Sequence, residues 1–197
     1  MSSAKPKIRE LLDESSCAHN KTKAVACNAP TPGATTGGCA FEGAQISLFP
    51  YADAAHLVHG PMTCIATSWE TRTTKTGWSG RDLTQMGFTT DVNLNDVVFS
   101  GEEKLTASID YIVKNYAPEA IFVYSTCVTA LIGDDLDLIC KQTAEKHGIP
   151  MIPVHAPGFV GGKNLGSRLG GEAALRHLIG TKEPEKTTNF DINLIGE

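Results

Sequence analysis

Cysteine is the residue type in this chain whose placement most needs a chemical explanation. The chain has six cysteines, Cys17, Cys27, Cys39, Cys64, Cys127 and Cys140. In a reducing compartment disulfides are rare, so such cysteines serve packing, catalysis or metal binding. No two of them form a Cys-x-x-Cys pair, and the usual zinc-ribbon and ferredoxin spacings are absent. Any metal site must therefore collect its ligands from distant parts of the chain.

Three of the cysteines lie in settings that are typical of ligands. Cys39 follows two glycines in TTGGCAF, Cys64 follows a Gly-Pro turn in HGPMTC, and Cys127 ends the apolar run AIFVYSTC. Small residues let backbone N–H groups approach a negatively charged centre, as they do at iron–sulfur sites. A [4Fe–4S] cluster needs four thiolates, and Cys17, Cys27 or another chain would have to provide the fourth. From the residues alone, packed and unliganded thiols remain the favoured interpretation.

The other polar candidates favour structural roles. Cys140 shares a helical face with apolar residues, which predicts a core position. His56 and His59 have a spacing that allows a shared metal ion, but no third ligand lies nearby, so we expect ordinary hydrogen-bonded histidines. Asp134 and Asp135 precede a predicted helix, where carboxylates complement the helix dipole and cap free N–H groups.

Alternating strands and helices must position these residues. Strands are predicted at 44–51, 96–100, 120–125, 151–157 and 191–197, and helices at 53–60, from Ser100 to Tyr116, at 134–147 and at 165–180. Ser100 and Glu103 match a capping box. The alternation indicates βαβ units, so we expect an α/β fold with a Rossmann-like parallel sheet flanked by helices. The strand at 120–125 is apolar on both sides, which is typical of a central parallel strand. The segment GFVGGKNLG lacks the Walker phosphate pattern and is expected to be a loop over the strand ends.

Composition and charge exclude several classes of partner. The chain has 197 residues, 41% of them hydrophobic and 20% charged, as in globular proteins. Its net charge is −5 and no basic stripe stands out, so nucleic acid is not an expected partner. The first residues, MSSAKPKIRELLDE, lack the apolar core of a signal peptide, and no apolar run approaches the length of a membrane span. We therefore expect a cytoplasmic location and no membrane contact.

Several segments, in a fixed order, resemble the nitrogenase component 1 superfamily. They are GATTGGCAFEGAQISLFPYADAAHLVHGPMTC, TSWETR, FTTDVNLNDVVFSGEEKL, VYSTCVTALIGDDLD and PGFVGGKNLGSRLGGEA. The resemblance extends from about Cys17 to Glu197. Within the superfamily the chain looks most like the α-type subunit of the scaffold on which the nitrogenase iron–molybdenum cofactor is matured.

This resemblance implies the first domain of a component 1-like subunit that has three Rossmann-like domains. The expected organisation is an N-terminal arm at 1–36, a Rossmann-like iron–sulfur domain at 37–190, and the start of a following domain at 191–197. The subunit is expected to pair with a NifN-like subunit as an α2β2 heterotetramer.

The resemblance also implies a metal site and further partners. Cys39, Cys64 and Cys127 each match a cysteine that binds a [4Fe–4S] cluster, and the NifN-like subunit would supply the fourth ligand. The Fe protein NifH would deliver electrons, and NifB would deliver the iron–molybdenum cofactor precursor, which the full-length protein would hold elsewhere. The cysteine that helps to hold this precursor in the family has no counterpart in these 197 residues.

Three alternatives stay open. The catalytic α-type subunit of nitrogenase is the nearest, but its third-cysteine motif carries an acidic residue and a proline where this chain has Thr126 and Val128. A two-component reductase of chlorophyll biosynthesis shares the architecture and matches the motifs less well. A soluble α/β domain with packed thiols is the third. No acid–base pair or nucleophile indicates catalysis by this domain, and the motifs neither separate molybdenum from vanadium systems nor assign Cys17 and Cys27.

Overall fold

A parallel sheet forms the centre of the described structure. The computed structural model describes residues 37–51, 53–69, 77–78, 81–82 and 86–181. The strands in these residues are β1 (Ala54–His59), β2 (Gly77–Trp78), β3 (Arg81–Asp82), β4 (Gly87–Thr89), β5 (Ala120–Ser125) and β6 (Met151–Val154). Strands β4, β1, β5 and β6 lie side by side in that order and are all parallel, whereas β2 and β3 form a separate antiparallel pair. The predicted α/β fold with a parallel sheet is confirmed.

Helices cover both faces of this sheet. They are α1 (Ala40–Leu48), α2 (Met62–Trp69), α3 (Leu94–Phe99), α4 (Glu102–Tyr116), α5 (Cys127–Ile132), α6 (Leu136–His147) and α7 (Lys163–His177), with a 3-10 turn at Gly158–Val160. Helices α1 and α7 pack on one face, and α4 and α6 pack on the other. None of the described helices is both long enough and apolar enough to cross a membrane.

The central strands divide their side chains between the two faces. Phe122 and Tyr124 of β5 join the core with α1 and α7, while Ile121 and Val123 join the core with α4 and α6. Every residue of β1 and β5 is buried, as expected for strands covered on both sides. The predicted central strand at 120–125 is therefore confirmed.

Two elements that follow Cys39 are the reverse of the prediction, because a predicted strand is a helix and a predicted helix is a strand. The predicted strand at 44–51 is wrong because these residues belong mostly to α1, whose buried positions Phe41, Ala44 and Leu48 recur at helical spacing. The predicted helix at 53–60 is also wrong because Ala54–His59 is β1. All six residues of β1 are buried, the polar His56 and His59 included, so no alternation of apolar and polar residues marks it as a strand.

The segment before α4 is helical as well. The predicted strand at 96–100 is wrong, because Asn93 caps α3 with a reciprocal capping box. The capping box predicted at Ser100 and Glu103 is also wrong, since α4 begins without a side-chain cap on its N-cap residue. The Ser100 hydroxyl instead donates to Asp134 Oδ1 at 2.8 Å.

Several predictions fall on residues that the structure does not describe. They are the arm at 1–36 with Cys17 and Cys27, and the strand at 191–197. The described sheet and its covering helices belong to one compact unit, Asn28–Leu178. The domain boundaries at 36/37 and 190/191 stay predictions.

Candidate metal centre

The three candidate ligands lie at the carboxyl ends of neighbouring strands. Cys127 follows β5 and Cys64 follows β1, and these strands are adjacent, with His59 opposite Ser125 at their ends. Cys39 makes an antiparallel backbone bridge to Gly162, in the segment that follows β6. In open α/β sheets, ligands bind outside the carboxyl ends of the strands, where the strand order changes direction. The fold therefore brings three cysteines that are far apart in sequence to its usual binding edge.

Each cysteine also lies at the beginning of a helix. Cys39 is the N-cap residue of α1, Cys64 lies in the first turn of α2, and Cys127 is the first residue of α5. The first N–H groups of a helix have no partner within the helix and favour negative charge nearby. Gly37 and Gly38 lead into α1 with φ of +80° and +114°, a region that favours glycine. The backbone N–H groups at the starts of α1 and α2 thus lie near Cys39 and Cys64.

The sulfur atoms of Cys39 and Cys127 converge on Gly158. A Cβ atom built on Gly158 would lie 3.0 Å from Cys127 Sγ and 3.3 Å from Cys39 Sγ. The missing side chain of Gly158 therefore leaves space beside both sulfur atoms. Burial raises the pKa of the Cys64 thiol, and negative charge on Cys127 and Cys39 raises it further.

This donor set fits a metal cluster better than a single ion. Among the described residues, no three His, Cys, Asp or Glu side chains are grouped closely enough to hold one metal ion. In a [4Fe–4S] cluster each thiolate binds a different iron, so the ligand sulfur atoms stand farther apart than they do around a single ion. All three thiols are half-buried. Three half-buried thiols at separate helix starts are donors of the kind that iron–sulfur clusters take.

Cys140 is separate from this set. It is 2% exposed in the core between the sheet, α4 and α6. Burial, with a smaller contribution from the charge of Asp137, raises its pKa to about 12. A thiol with such a pKa stays protonated at neutral pH and is a poor metal ligand. The predicted packing role of Cys140 is confirmed.

The two histidines of β1 have separate hydrogen-bond partners. His56 Nδ1 lies 2.7 Å from the Tyr124 hydroxyl, and His59 Nε2 lies 2.9 Å from Asp134 Oδ2. Both imidazoles are fully buried. The prediction that they are hydrogen-bonded histidines is confirmed.

The two aspartates before α6 have different roles. Asp135 caps α6 by accepting a hydrogen bond from the Leu138 N–H at 3.0 Å, as predicted. The cap predicted for Asp134 at this helix is wrong, because its carboxylate faces the other way. It accepts from His59, from the Ser100 hydroxyl and from the Gly101 N–H at the start of α4.

Sequence reasoning missed the residues that hold the cysteines in place. Thr126 caps α5 in a reciprocal capping box with Thr129, and both hydroxyls donate to the His59 carbonyl, at 3.0 and 2.9 Å. A threonine before a helix is a recognisable N-cap signal, so Thr126 was accessible from the sequence. Gly158 was not, because its role depends on packing between segments that are distant in sequence.

Comparison with known proteins agrees with this fold. The family model described as nitrogenase component 1 type oxidoreductase matches residues 39–197. The solved structure of nitrogenase Cp1 at pH 5 superposes with a TM-score of 0.72 and 25% identity, covering 91% of this chain and 41% of that chain. Nitrogenase Cp1 at pH 6.5 superposes with a TM-score of 0.58 and 28% identity, covering 68% of this chain and 26% of that one.

Curated relatives are more similar in sequence. The nitrogenase iron-molybdenum cofactor biosynthesis protein NifE of Rippkaea orientalis is 57% identical over 203 aligned residues, covering 100% of this chain and 43% of its own length. NifE of Klebsiella pneumoniae is 46% identical over 200 residues, covering 96% of this chain and 43% of its own length. The chain thus spans about two fifths of the length of the curated relatives it matches.

Proposed function

The chain belongs to the family of nitrogenase component 1 type oxidoreductases, and on this basis we propose that it is part of a NifE-type scaffold subunit. Such a subunit would support maturation of the nitrogenase iron–molybdenum cofactor. One observation carries the proposal, namely 57% identity to a NifE protein over the whole of this chain. Because the relatives are more than twice as long, the role is proposed for the full gene product.

Within this role, Cys39, Cys64 and Cys127 would hold three corners of a [4Fe–4S] cluster. The convergence of Cys39 and Cys127 on Gly158, and the position of Cys64 after β1, the strand adjacent to β5, support this ligand set. A NifN-like partner subunit would supply the fourth ligand across an interface. The cluster, when bound, would supply one-electron transfer, while the half-buried thiolates and the helix starts of α1 and α2 would hold its charge.

The described surface beside the cysteines supports contact with a protein partner. Leu94, Val98 and Phe99 of α3 are 84%, 71% and 81% exposed, and Leu131 of α5 is 76% exposed. Helix α3 packs against α5, the helix that begins with Cys127. Large exposed apolar side chains on adjoining elements are typical of interaction surfaces. In the full protein we propose an α2β2 assembly with NifN, electron delivery by NifH and precursor delivery by NifB.

A nitrogenase catalytic α-type subunit is the alternative that must be separated from this proposal. The solved nitrogenase structures share the fold of this chain, but at 25% and 28% identity. The NifE relatives share about twice as many residues, which favours the scaffold role.

Genetic complementation separates the two roles. The full gene product is expressed in a nitrogen-fixing bacterium that lacks NifE and, in parallel, in one that lacks the catalytic α subunit, and acetylene reduction is measured. We expect activity to return only in the strain that lacks NifE. We expect Cys39→Ala, Cys64→Ala and Cys127→Ala each to fail there and Cys140→Ala to succeed.

The other outcomes identify which part of the proposal is wrong. Activity only in the strain without the catalytic subunit would make the protein a nitrogenase subunit. Activity from all the cysteine variants in the strain without NifE would leave the scaffold role intact and overturn the ligand assignment.

A further inference from the structure

The turn that leads to Cys64 is held at Gly60 by three threonines. The Gly60 N–H donates to Thr90 Oγ1 at 3.1 Å, and the Gly60 carbonyl accepts from the Thr89 hydroxyl at 3.0 Å. A side chain at Gly60 would collide with Thr126, the residue directly before Cys127. The N–H and the carbonyl of Gly60 are therefore both hydrogen-bonded. Gly60 also packs against Thr126, next to the candidate ligand Cys127.

The Thr90 hydroxyl is itself oriented by His59. Thr90 Oγ1 lies 3.0 Å from His59 Nδ1, and His59 Nε2 lies 2.9 Å from Asp134 Oδ2. Since Nε2 faces a carboxylate oxygen, it carries the hydrogen in the neutral imidazole and leaves Nδ1 as an acceptor. The Thr90 hydroxyl then donates to His59 and accepts from Gly60. The hydrogen bonds form one directed chain, from the Gly60 N–H through Thr90 and His59 to Asp134.

This chain of hydrogen bonds is excluded from solvent. Thr90 is 3% exposed and His59 is 0% exposed. In a region of low dielectric, a polar network whose hydrogen bonds are all made is rigid, and a member without a hydrogen-bond partner lowers the stability of the fold. The main chain of His59 also accepts from Thr126 and Thr129 at the start of α5. His59 is thus connected through its side chain to the Cys64 turn and through its carbonyl to the helix that begins with Cys127.

We propose that His59 and Thr90 are positioning residues of the thiol site, which fix the Cys64 turn relative to Cys127. This inference rests on the proposed function, in which these cysteines bind an iron–sulfur cluster. Removing the Thr90 hydroxyl leaves the Gly60 N–H and His59 Nδ1 without a partner, and the turn loosens as water satisfies them. The Cys64 thiolate then leaves its iron more readily.

An isosteric substitution with a matched control tests this role. The full gene product is purified with its NifN partner as wild type, Thr90→Val, Thr90→Ser and Thr143→Val. Thr143 is 2% exposed, and its hydroxyl donates to the Ile139 carbonyl within α6, so its replacement removes a buried hydrogen bond within a helix that carries none of the candidate ligands. Three quantities are compared, namely the rate of iron release to a chelator, the low-temperature EPR line shape of the reduced cluster and the unfolding temperature.

We expect Thr90→Val to release iron roughly tenfold faster, the factor that corresponds to the loss of one buried hydrogen bond. Its EPR line shape should change, and Thr90→Ser, which keeps the hydroxyl, should restore both readouts. Thr143→Val should lower the unfolding temperature without changing release or line shape. If Thr90→Val does not fold, Thr90→Ala removes the same hydroxyl with a smaller side chain, and it should behave as described for Thr90→Val.

Two outcomes would overturn the positioning role while leaving the proposed function in place. One is wild-type release and line shape in Thr90→Val, and the other is equal acceleration in Thr90→Val and Thr143→Val. A wild-type complex that carries no cluster would overturn the proposed function, and the positioning role with it.

Discussion

At the scale of single residues, Cys127 and Cys140 differ in their surroundings. Cys127 and Cys140 both adjoin apolar runs. Cys127 begins a helix at the carboxyl end of β5 and faces the space beside Gly158, whereas Cys140 is enclosed in the core. Helical periodicity predicted the buried position of Cys140 correctly. The convergence of Cys127 with Cys39 could not be predicted from spacing, because it depends on the order of the strands.

Gly158 offers a direct test of the space at the site. A methyl group from Gly158→Ala would force Cys127 Sγ and Cys39 to move by a few tenths of an ångström, because it would meet them at 3.0 to 3.3 Å. We expect the iron content of the NifN complex to fall while the free energy of unfolding decreases by about 1 kcal/mol, as is usual for overpacking.

Gly171→Ala is the matched control for this substitution. Gly171 lies in α7, and a Cβ there meets nothing within 4 Å. This variant should keep its iron and gain about 0.5–1 kcal/mol of stability, since alanine is the better helix former. Equal iron content in both variants would show that the space beside Gly158 is not used by a cluster.

At the scale of elements, the sequence predicts best where one face is buried and one is exposed. Helix α4 buries Leu105, Ile109 and Ile112 at helical spacing, and that prediction is confirmed. Helices α6 and α7 were also predicted near their observed bounds. In contrast, β1 is buried at every position, His56 and His59 included. It therefore shows no alternation of apolar and polar residues, and its sequence predicts a helix instead. Residues 44–51 favour a strand by their own sequence, but packing against α7 stabilises α1 as a helix.

His59, which lies at the junction of β1, α4 and α6, is expected to make the stability depend on pH. Burial lowers the pKa of His59, and the opposing contribution of Asp134, with smaller ones from Asp96 and Glu102, is the weaker effect. Above the ordinary histidine pKa of 6.5, both the folded and the unfolded chain carry neutral His59. Below it, the unfolded chain binds a proton that the folded chain does not, so the free energy of unfolding falls as the pH decreases.

Denaturant unfolding above and below pH 6.5 measures this effect. The wild-type protein should lose stability as the pH falls through this value, and His59→Gln should lose less. His155→Gln, at a histidine whose side chain is 54% exposed, is the control and should keep the wild-type slope. Asp110, whose pKa is lowered by Lys146 and His147, contributes only nearer its ordinary value of 3.8. Parallel slopes for wild type and His59→Gln would contradict the account of this junction.

At the scale of the whole molecule, the proposed cluster would need one ligand beyond Cys39, Cys64 and Cys127. Cys39 and Cys127 face the space beside Gly158, Cys64 is half-buried after β1, and the remaining free cysteine of the described residues, Cys140, is buried in the core. Composition and charge excluded nucleic acid as an expected partner, and motif order identified the family, which the family model confirms for residues 39–197. The fourth ligand could not be predicted from the residues because it would belong to a different chain.

The most direct test of the shared-cluster proposal is the low-temperature EPR spectrum of the reduced full gene product purified with its NifN partner. We predict a [4Fe–4S] signal that persists in Cys140→Ala and disappears in Cys64→Ala, because Cys64 would hold one of the irons and Cys140 is enclosed in the core. A wild-type complex without this signal, or the same signal in Cys64→Ala, would contradict it.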